Sequence, residues 1–403
     1  MTAFSLSRRA FGRAGLAGLS LTLLAHVADA AIPAGRRFVV IVCRGGMDGL
    51  SVAPPIGDAD YHDLRGALAL GDDALKLDGT FALNPALPSI YALAKAGEAR
   101  IAPAVATPDR ARSHFEAQDV LETGAPGVYA TTSGWLNRAL GAMSAAGKVE
   151  AISVGPTAPL ILRGPAPAGS WSPGRSIDAT ARLPGLLQDL YRDDPLLGPA
   201  LVRGLQTQTL ARQSGADTAN MMAGAPAMKA AGPAQGRETA RAMGAALADF
   251  LKAPGGPQIA AVSLDGFDTH ANQAGVLTQR LAGLDALVDG LHTGLGSAWK
   301  DTIVLAVTEF GRTARANGTG GTDHGTGSTA LLMGGALKPG GIVGDWPTLK
   351  RTALFEDRDV YPALDMRSLS KGLLADHLGV DRRALDTTVF PDSAAVKPLL
   401  GVV

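Results

Sequence analysis

Residues 36–51, RRFVVIVCRGGMDGLS, form an apolar run that ends in glycines and an aspartate. The run Phe38–Cys43 does not alternate between polar and apolar residues, which predicts a strand buried on both faces, as in a parallel sheet. The polar, glycine-rich loop then lies at the carboxyl end of that strand. This order, a buried strand followed by a polar loop, decides the fold class because it occurs twice more along the chain.

Two further buried strands have polar loops directly after them: Ile259–Leu264 precedes GFDTHANQ, and Ile303–Val307 precedes TEFGRT. Further strand-like runs lie at 101–107, 149–155 and 328–337. Helical patterns lie between them at 88–100, 113–124, 183–213, 236–253, 276–299 and 369–379, whereas 55–85 is rich in loops. Strands that alternate with helices predict an α/β fold with a mixed, mostly parallel sheet and helices on both faces.

The composition limits the class of protein. A length of 403 residues with 46% hydrophobic residues allows a large core. Lys and Arg total 37, as do Asp and Glu, and this neutral balance argues against a nucleic-acid partner. Cys43 is the single cysteine, which excludes an intramolecular disulfide, and its apolar neighbours favour a buried structural role over a nucleophile.

The N-terminus has the pattern of a cleaved leader. SRRAFGR (7–13) precedes a short apolar run and small residues, and Arg8-Arg9 resembles a twin-arginine export signal. We expect cleavage after Ala30, passage through the twin-arginine export machinery, and a periplasmic or secreted mature protein. The apolar run is too short to span a bilayer, and we expect no stable membrane span elsewhere.

Residues 31–403 are then one domain, with a mobile Ala/Gly/Met-rich segment at 213–236.

Acidic and imidazole side chains follow the predicted strands. Ligands bind at the carboxyl ends of strands in open α/β sheets, so Asp48, Asp268, His270 and Glu309 are expected to meet at one edge. The glycine-rich segment 317–328 can bring Asp323 and His324 there. Oxygen and nitrogen donors suit Zn, Mn, Mg or Ca, and imidazole favours Zn or another transition metal.

Each of these residues also has a structural explanation. Asp48 fits a turn, Asp268 a helix cap, and His270 a satisfied structural imidazole. Glu309 can pair with Arg312, which could instead hold an anionic group with two hydrogen bonds.

A second polar cluster opens the helix predicted at 113–124. Ser113 fits its N-cap, with Glu116 completing a capping box, and a nucleophile is the alternative. The helix dipole predicts a lowered pKa for His114. Arg110 and Arg112 add positive charge beside a helix end that suits an anion.

Several motifs together resemble the twin-arginine-exported bacterial family named domain of unknown function 1501. They are SRRAFGR, RGGMDGLS, RSHFEAQDVLETG, GFDTHANQ, TEFGRTARANGTGGTDHG and LLMGGALKPGGIVGD. More distantly, the chain resembles the alkaline phosphatase and sulfatase superfamily, which implies an alkaline-phosphatase-like sheet and a metal site.

That distant resemblance implies roles for individual residues. Asp48 matches the metal-binding Asp after the first strand, and His114 matches the nucleophile position beside Ser113. Asp268 and His270 match downstream metal ligands. The nucleophile position holds no unambiguous Ser, Thr or Cys, which leaves open whether His114 is a nucleophile or another ligand. The Asp-to-His spacing in FDTH is shorter than in phosphatases, which argues against a two-metal centre.

Late in the chain, Glu309-Phe310-Gly311 matches the superfamily's Asp-His-Gly, and His324 matches its last metal-binding His. Phe310 replaces a ligand histidine, so one metal ion is a better expectation than two.

The resulting prediction is an exported, metal-dependent hydrolase of phosphate or sulfate esters. The metal is held by Asp48, Asp268, His270, Glu309 and His324. His114 or Ser113 attacks the ester or orients it. Arg112 or Arg312 steadies the anionic ester. The alternative is a non-catalytic periplasmic binding or assembly protein on the same fold. A redox protein is disfavoured because no haem, Fe–S or dinucleotide motif is present.

Overall fold

The computed structural model describes residues 35–143, 151–155, 158–172, 182–195, 197–216 and 233–403. The predicted export signal, residues 1–30, and most of the predicted mobile segment, residues 217–232, lie outside the described residues. The two ends of that segment belong to helices.

The strands are β1 Arg37–Cys43, β2 Leu75–Lys76, β3 Ala82–Leu83, β4 Ala99–Ala106, β5 Ala151–Val154, β6 Gly169–Trp171, β7 Ile259–Leu264, β8 Thr302–Val307, β9 Ser328–Met333 and β10 Leu364–Asp365. The α-helices are α1 Gly49–Val52, α2 Tyr61–Arg65, α3 Pro88–Lys95, α4 His114–Thr123, α5 Trp135–Ala142, α6 Arg182–Leu190, α7 Leu197–Ser214, α8 Pro233–Lys252, α9 Gln273–Leu295, α10 Met366–Leu378 and α11 Arg382–Ala384. Short 3₁₀ turns and one π-helical turn, Leu385–Val389, complete the elements.

Eight strands form one sheet in the order β10-β4-β9-β8-β1-β7-β5-β6, and β2 pairs with β3 in a separate hairpin. β9 is antiparallel to both of its neighbours, and every other pair in the large sheet is parallel. The prediction of a mixed, mostly parallel α/β sheet is therefore confirmed.

β1 lies inside the sheet, and its side chains alternate between two cores. Val39, Ile41 and Cys43 face the core that helices α3, α8 and α9 complete. Phe38 and Val40 face the opposite core, which α5 and α10 cover. Burying each large aliphatic side chain stabilises the fold by about 1.5–3 kcal/mol, which explains why this strand is apolar on both faces. Helices on both faces were expected, and so was a buried Cys43.

Most expected elements are present with small shifts in their bounds. β7 has the predicted bounds, and α4 ends at Gly124, whose left-handed conformation (φ 63°) forms the C-cap. The helical pattern at 183–213 is two helices, α6 and α7. The region 55–85, expected to be loop, contains α2 and the β2–β3 hairpin. α5 and the short strands β6 and β10 were not predicted.

The sheet places four strand ends on one edge. β1, β7 and β8 are parallel neighbours, and β4 runs in the same direction because β9 is antiparallel to both β4 and β8. The loops after these four strands therefore start at the same edge. Within the described parts of the chain, no helix is long and apolar enough to cross a membrane.

Candidate metal centre

Glycine allows the loops at this edge to approach each other. Gly45, after β1, has φ +114°, and a Cβ there would lie 2.5 Å from the backbone nitrogen of Asp268, after β7. Any larger residue would separate the two loops. Glycine at position 45 therefore allows the polar loops after β1 and β7 to lie close together.

The loop after β4 delivers His114 as the first residue of α4. Ser113 occupies the N-cap with extended backbone, as predicted, but its side chain makes no capping hydrogen bond. The expected capping box with Glu116 is therefore not formed. His114 is held instead by a partner on another loop.

Three imidazoles surround one carboxylate. His114 Nε2 lies 3.4 Å from Asp268 Oδ2, while His270 Nε2 and His324 Nε2 lie 3.1 and 3.4 Å from Asp268 Oδ1. Ligand atoms of His114, Asp268 and His324 all lie within 4.8 Å of one another. His270 Nε2 adjoins this group, 3.0 Å from His324 Nε2.

The other ring nitrogen of each histidine has its own partner. His114 Nδ1 lies 2.8 Å from Glu309 Oε1, and His270 Nδ1 lies 3.2 Å from Asp323 Oδ1. His324 Nδ1 lies 2.8 Å from the carbonyl oxygen of Arg112. Each partner is an acceptor, so the hydrogen-bond network assigns the proton to Nδ1 in all three rings.

This tautomer leaves every Nε2 as an acceptor, facing the acceptor oxygens of Asp268. His114 Nε2 is buried and makes no hydrogen bond. Lone pairs that converge without a hydrogen between them are unfavourable, and a cation among them would satisfy all of them. Histidines tied back through Nδ1 to carboxylates and carbonyls are also the usual surroundings of a protein metal site. The residues therefore fit a divalent metal ion.

Two carboxylates at the centre stay ionised. Burial alone would raise the pKa of Asp268, but the hydrogen bond and charge of Arg312 outweigh it and hold that pKa below the ordinary value. Burial likewise opposes ionisation of Glu309, but hydrogen bonds from His114, Gln118 and the Gly45 backbone N–H lower its pKa. A negative ligand beside the histidines is therefore available at neutral pH.

The histidines have shifts of opposite direction. The hydrogen bond to Glu309 raises the pKa of His114 despite its burial, so the lowered pKa expected from the helix dipole is wrong. Burial lowers the pKa of His324, which favours the neutral, ligating form.

Phe310, which stands where the distant superfamily has a ligand histidine, forms an apolar wall. Its ring centroid lies 4.8 Å from that of His114 and 4.8 Å from that of His324. The ring packs beside two candidate ligands and offers no donor atom to a metal.

Asp48 does not join the cluster. Its carboxylate is buried and forms an ion pair with Arg65, and it also accepts hydrogen bonds from Ser51 and Gln273. The prediction of Asp48 as a metal ligand is corrected, because the Arg65 guanidinium already provides its positive partner. Asp48 also caps α1 through the backbone N–H of Leu50, which is the turn role weighed for it.

Glu309 and the two arginines have different roles from those predicted. Glu309 contacts Nδ1 of His114 and thereby holds that ring, and it is not itself one of the candidate ligands. Arg312 is 1% exposed and donates to backbone carbonyls of three loops and to Asp268, so it anchors the loops and is not free for an anion. Arg112 pairs with Asp359 and Glu356, and its part in the cluster is its backbone carbonyl.

Sequence reasoning missed several supporting residues. Gln118 donates to Glu309 at 3.1 Å, and its position one helical turn after His114 is the signal that could have shown it. Arg358 donates to the carbonyl oxygen of His324, and Asp359 accepts from Arg112. No local pattern marks these two, because their partners are distant in sequence.

The solved structures to which this chain is similar include the following two. The lipoteichoic acid synthase LtaP from Listeria monocytogenes is 10% identical, with a TM-score of 0.40, over 88% of this chain and 76% of LtaP. The C-terminal periplasmic domain of EptC from Escherichia coli, in complex with Zn, is 10% identical with a TM-score of 0.40, over 93% of this chain and 89% of that domain.

No curated protein matches the sequence. A family model described as a protein of unknown function, DUF1501, matches residues 79–389 of the 403. The matched region includes α4 with His114 and the loops that contribute Asp268, Glu309 and His324. The chain therefore belongs to the DUF1501 family.

Proposed function

We propose that this protein binds one divalent metal ion through His114, Asp268 and His324, with His270 as a fourth ligand, and hydrolyses phosphate or sulfate esters there. The observation that supports this most is the convergence of three imidazole Nε2 atoms on the Asp268 carboxylate, each ring being tied back through Nδ1.

The donor set favours zinc. Three imidazoles and one carboxylate make a nitrogen-rich set of four, which suits Zn better than Mg or Ca, and Mn is the next candidate. A bound divalent ion would supply Lewis acidity, which polarises an ester oxygen and makes water more acidic.

The residues around the ligands prepare the site. Glu309 fixes the ring of His114, and Phe310 keeps water from one side of the histidines. The orientation of His114 Nε2 toward Asp268 favours a ligand over a covalent nucleophile. The Ser113 hydroxyl, which does not cap its helix, adjoins the first ligand and is the remaining candidate for a positioning role.

The location of the activity is part of the proposal. Arg8-Arg9 in the leader motif supports export by the twin-arginine machinery to the periplasm or beyond. Export of the folded protein would allow the metal to be loaded before transport.

The first experiment measures metal content. The mature chain is purified, supplied with zinc and dialysed, and its metal is determined by mass spectrometry. We expect about one equivalent of zinc in the wild type, and less than a tenth in His114→Ala and Asp268→Ala. His62→Ala, on an exposed histidine that is not a member of the candidate cluster, is the matched control and should bind like wild type. Wild-type protein without metal would contradict the proposal.

A second function is supported by a different observation: the arginines near the centre are already engaged. Arg312 contacts Asp268, Arg112 contacts Asp359, and Arg44 contacts Glu122. A phosphate or sulfate ester would have to displace one of these partners or rely on the metal alone. This favours the alternative of a periplasmic binding or assembly protein that holds a metal without turnover.

Ester assays distinguish the two functions. The metal-loaded protein is incubated with aryl phosphate and aryl sulfate esters. Turnover that requires metal and is lost in Asp268→Ala supports the hydrolase. One equivalent of bound zinc without turnover of any ester supports the binding protein.

A further inference from the structure

The motif GFDTHANQ, residues 266–273, ends in a buried glutamine that the proposed metal site does not include. Gln273 is the first residue of α9 and is 1% exposed. Its carboxamide hydrogen-bonds to both of the segments that supply candidate ligands on this side of the centre. These are the loop after β7 and the glycine-rich segment 317–328.

Two threonines donate to the same oxygen of this carboxamide. Thr269 lies between two candidate ligands in the loop after β7, and its Oγ1 donates to Gln273 Oε1 at 3.0 Å. Thr322 lies two residues before His324, and its Oγ1 donates to Gln273 Oε1 at 2.6 Å. One amide oxygen therefore joins the two segments that supply the ligands.

The threonines and the candidate ligands differ in burial. Thr269 and Thr322 are 1% and 0% exposed, whereas the side chains of Asp268 and His270 are 44% and 46% exposed. Each segment thus directs its threonine into the protein interior and presents its candidate ligands on the open side. Because they share a short stretch of backbone, moving the threonine moves the ligands beside it.

The nitrogen of the carboxamide is held by Asp48. Gln273 Nε2 donates to the Asp48 carboxylate and to Ser51 Oγ at 3.1 Å, and Arg65 donates to both of these acceptors. A carboxylate paired with an arginine only accepts hydrogen bonds, so the amide must present its nitrogen to Asp48 and its oxygen to the threonines. Asp48 therefore orients Gln273, although it is not a candidate ligand.

Other contacts between the two segments are weaker constraints. The backbone N–H of Thr322 donates to the carbonyl oxygen of Thr269 at 3.2 Å, which sets one distance but allows rotation about that bond. Asn317 and Thr319 donate to the carbonyl oxygen of His270 at the exposed surface, where water competes for both partners. The shared amide oxygen is a further contact between the segments, and its burial makes its hydrogen bonds stronger.

We propose that Gln273 is a positioning residue of the candidate metal centre. By holding one threonine from each segment, its amide oxygen sets the separation of the candidate ligands, such as the 3.0 Å between His270 Nε2 and His324 Nε2. Metal affinity depends steeply on ligand positions, and loss of a supporting contact typically costs about ten- to a hundredfold. This inference rests on the proposed function, because it assigns a residue to that metal site.

The test removes one hydroxyl at a time from the full chain. Gln273→Met is unsuitable, because it would take a donor from the buried Asp48 carboxylate and endanger the fold. Thr269→Val and Thr322→Val keep the shape of the side chain. Zinc affinity is measured by competition with a chromophoric chelator, and the melting temperature is measured in EDTA. We expect zinc binding about threefold weaker or more in each single variant, and about tenfold weaker or more in the double variant.

Thr302→Val is the matched control for a buried hydroxyl. Thr302 is 0% exposed at the start of β8, and its Oγ1 donates to the carbonyl oxygen of Ala298 at 2.9 Å. Its loss should lower the melting temperature in EDTA, as in the other two variants, and leave zinc affinity unchanged. Thr269→Ser and Thr322→Ser retain the hydroxyl and should bind zinc like wild type.

The outcomes separate this inference from the metal site itself. Wild-type zinc affinity in the double valine variant, or equal weakening in Thr302→Val, would overturn the positioning role alone. Serine variants that bind as weakly as the valine variants would also overturn it, because the hydroxyls would then not be the cause. A wild type that binds no zinc would overturn the metal site and the positioning role with it.

Discussion

At the scale of single residues, the candidate metal centre depends on which carboxylates have cationic partners. Asp48 and Asp268 both follow buried strands in glycine-containing loops, yet Asp48 is neutralised by Arg65 and Asp268 faces three histidines. Glu309 is fully buried, and its bond to His114 connects it to the candidate metal. These contacts divide similar residues into candidate ligands, residues that support the candidate ligands, and structural ion pairs.

Glu309→Gln is expected to weaken zinc binding by about ten- to a hundredfold, because an amide fixes the His114 ring less strongly and removes negative charge next to it. The measurement is competition for zinc with a chromophoric chelator. Glu238→Gln, on an exposed part of α8, is the control and should leave affinity unchanged. Equal affinities in wild type and Glu309→Gln would show that Glu309 does not support the site.

Another single-residue prediction concerns pH. Burial lowers the pKa of His377 to about 4, and its Nε2 lies 2.9 Å from the carbonyl oxygen of Arg37. Between about pH 4 and 6.5 the unfolded chain binds more protons than the folded protein at this residue, so its contribution to stability falls as pH falls through that window. The loss approaches about 3 kcal/mol near pH 4, at about 1.4 kcal/mol for each unit of pKa.

Urea unfolding at pH 7.5 and 4.5 checks this. Compared with wild type, His377→Gln should lose about 2–3 kcal/mol less of its unfolding free energy on acidification, since glutamine does not titrate. His62→Gln, at an exposed position, should behave as wild type. The explanation fails if wild type and His377→Gln show the same pH dependence.

At the scale of elements, α4 connects the core to the candidate metal centre. Its first residue is the candidate ligand His114, and its last turn is buried through Leu121, Glu122 and Thr123. Its end is set by Gly124 in the left-handed conformation, where a Cβ would lie 2.6 Å from the Phe390 ring. The position of His114 therefore depends partly on how the far end of the helix packs.

Gly124→Ala should lower the unfolding free energy by about 2–4 kcal/mol, because it adds strain at positive φ and overpacks the core against Phe390. Urea unfolding measures the change. Gly283→Ala is the matched control: Gly283 lies inside α9 with open space around its Cα, and alanine there should stabilise the protein by about 0.5–1 kcal/mol. Similar effects of the two substitutions would contradict this account of the helix end.

At the scale of the whole molecule, the sheet brings together residues that are distant in sequence. β1, β4, β7 and β8 end at one edge, and their loops supply the anchors and candidate ligands of the centre. A bound metal would therefore join parts of the chain from residue 114 to residue 324. Metal binding should be coupled to global stability for this reason.

Removal of metal is expected to lower the melting temperature of the wild type. At a thousandfold excess of metal over its dissociation constant, the stabilisation is about 4 kcal/mol. Calorimetry of zinc-loaded protein with and without EDTA measures this difference. Asp268→Ala should melt at one temperature in both conditions, and a wild type insensitive to EDTA would argue against a metal centre.

Much of the fold could be predicted because its signals are local. The apolar runs at 38–43 and 259–264 are strands, and the helix at 113–124 ends at the predicted Gly124. The site could be predicted in outline, since polar loops follow parallel strands. The roles of Asp48, Glu309 and Arg312 could not, because each depends on a partner far along the chain.

The sequence by itself determined the strands, most helices, the α/β class and the group of residues among which a metal centre would be found. It does so because apolar periodicity, glycine and capping residues act over a few neighbouring positions. Only the tertiary structure decided that Arg65 neutralises Asp48 while Asp268 faces His114, His270 and His324. The physical reason is that the environment of a carboxylate is set by the charges and donors within a few ångströms of it, and these come from loops that the sheet assembles.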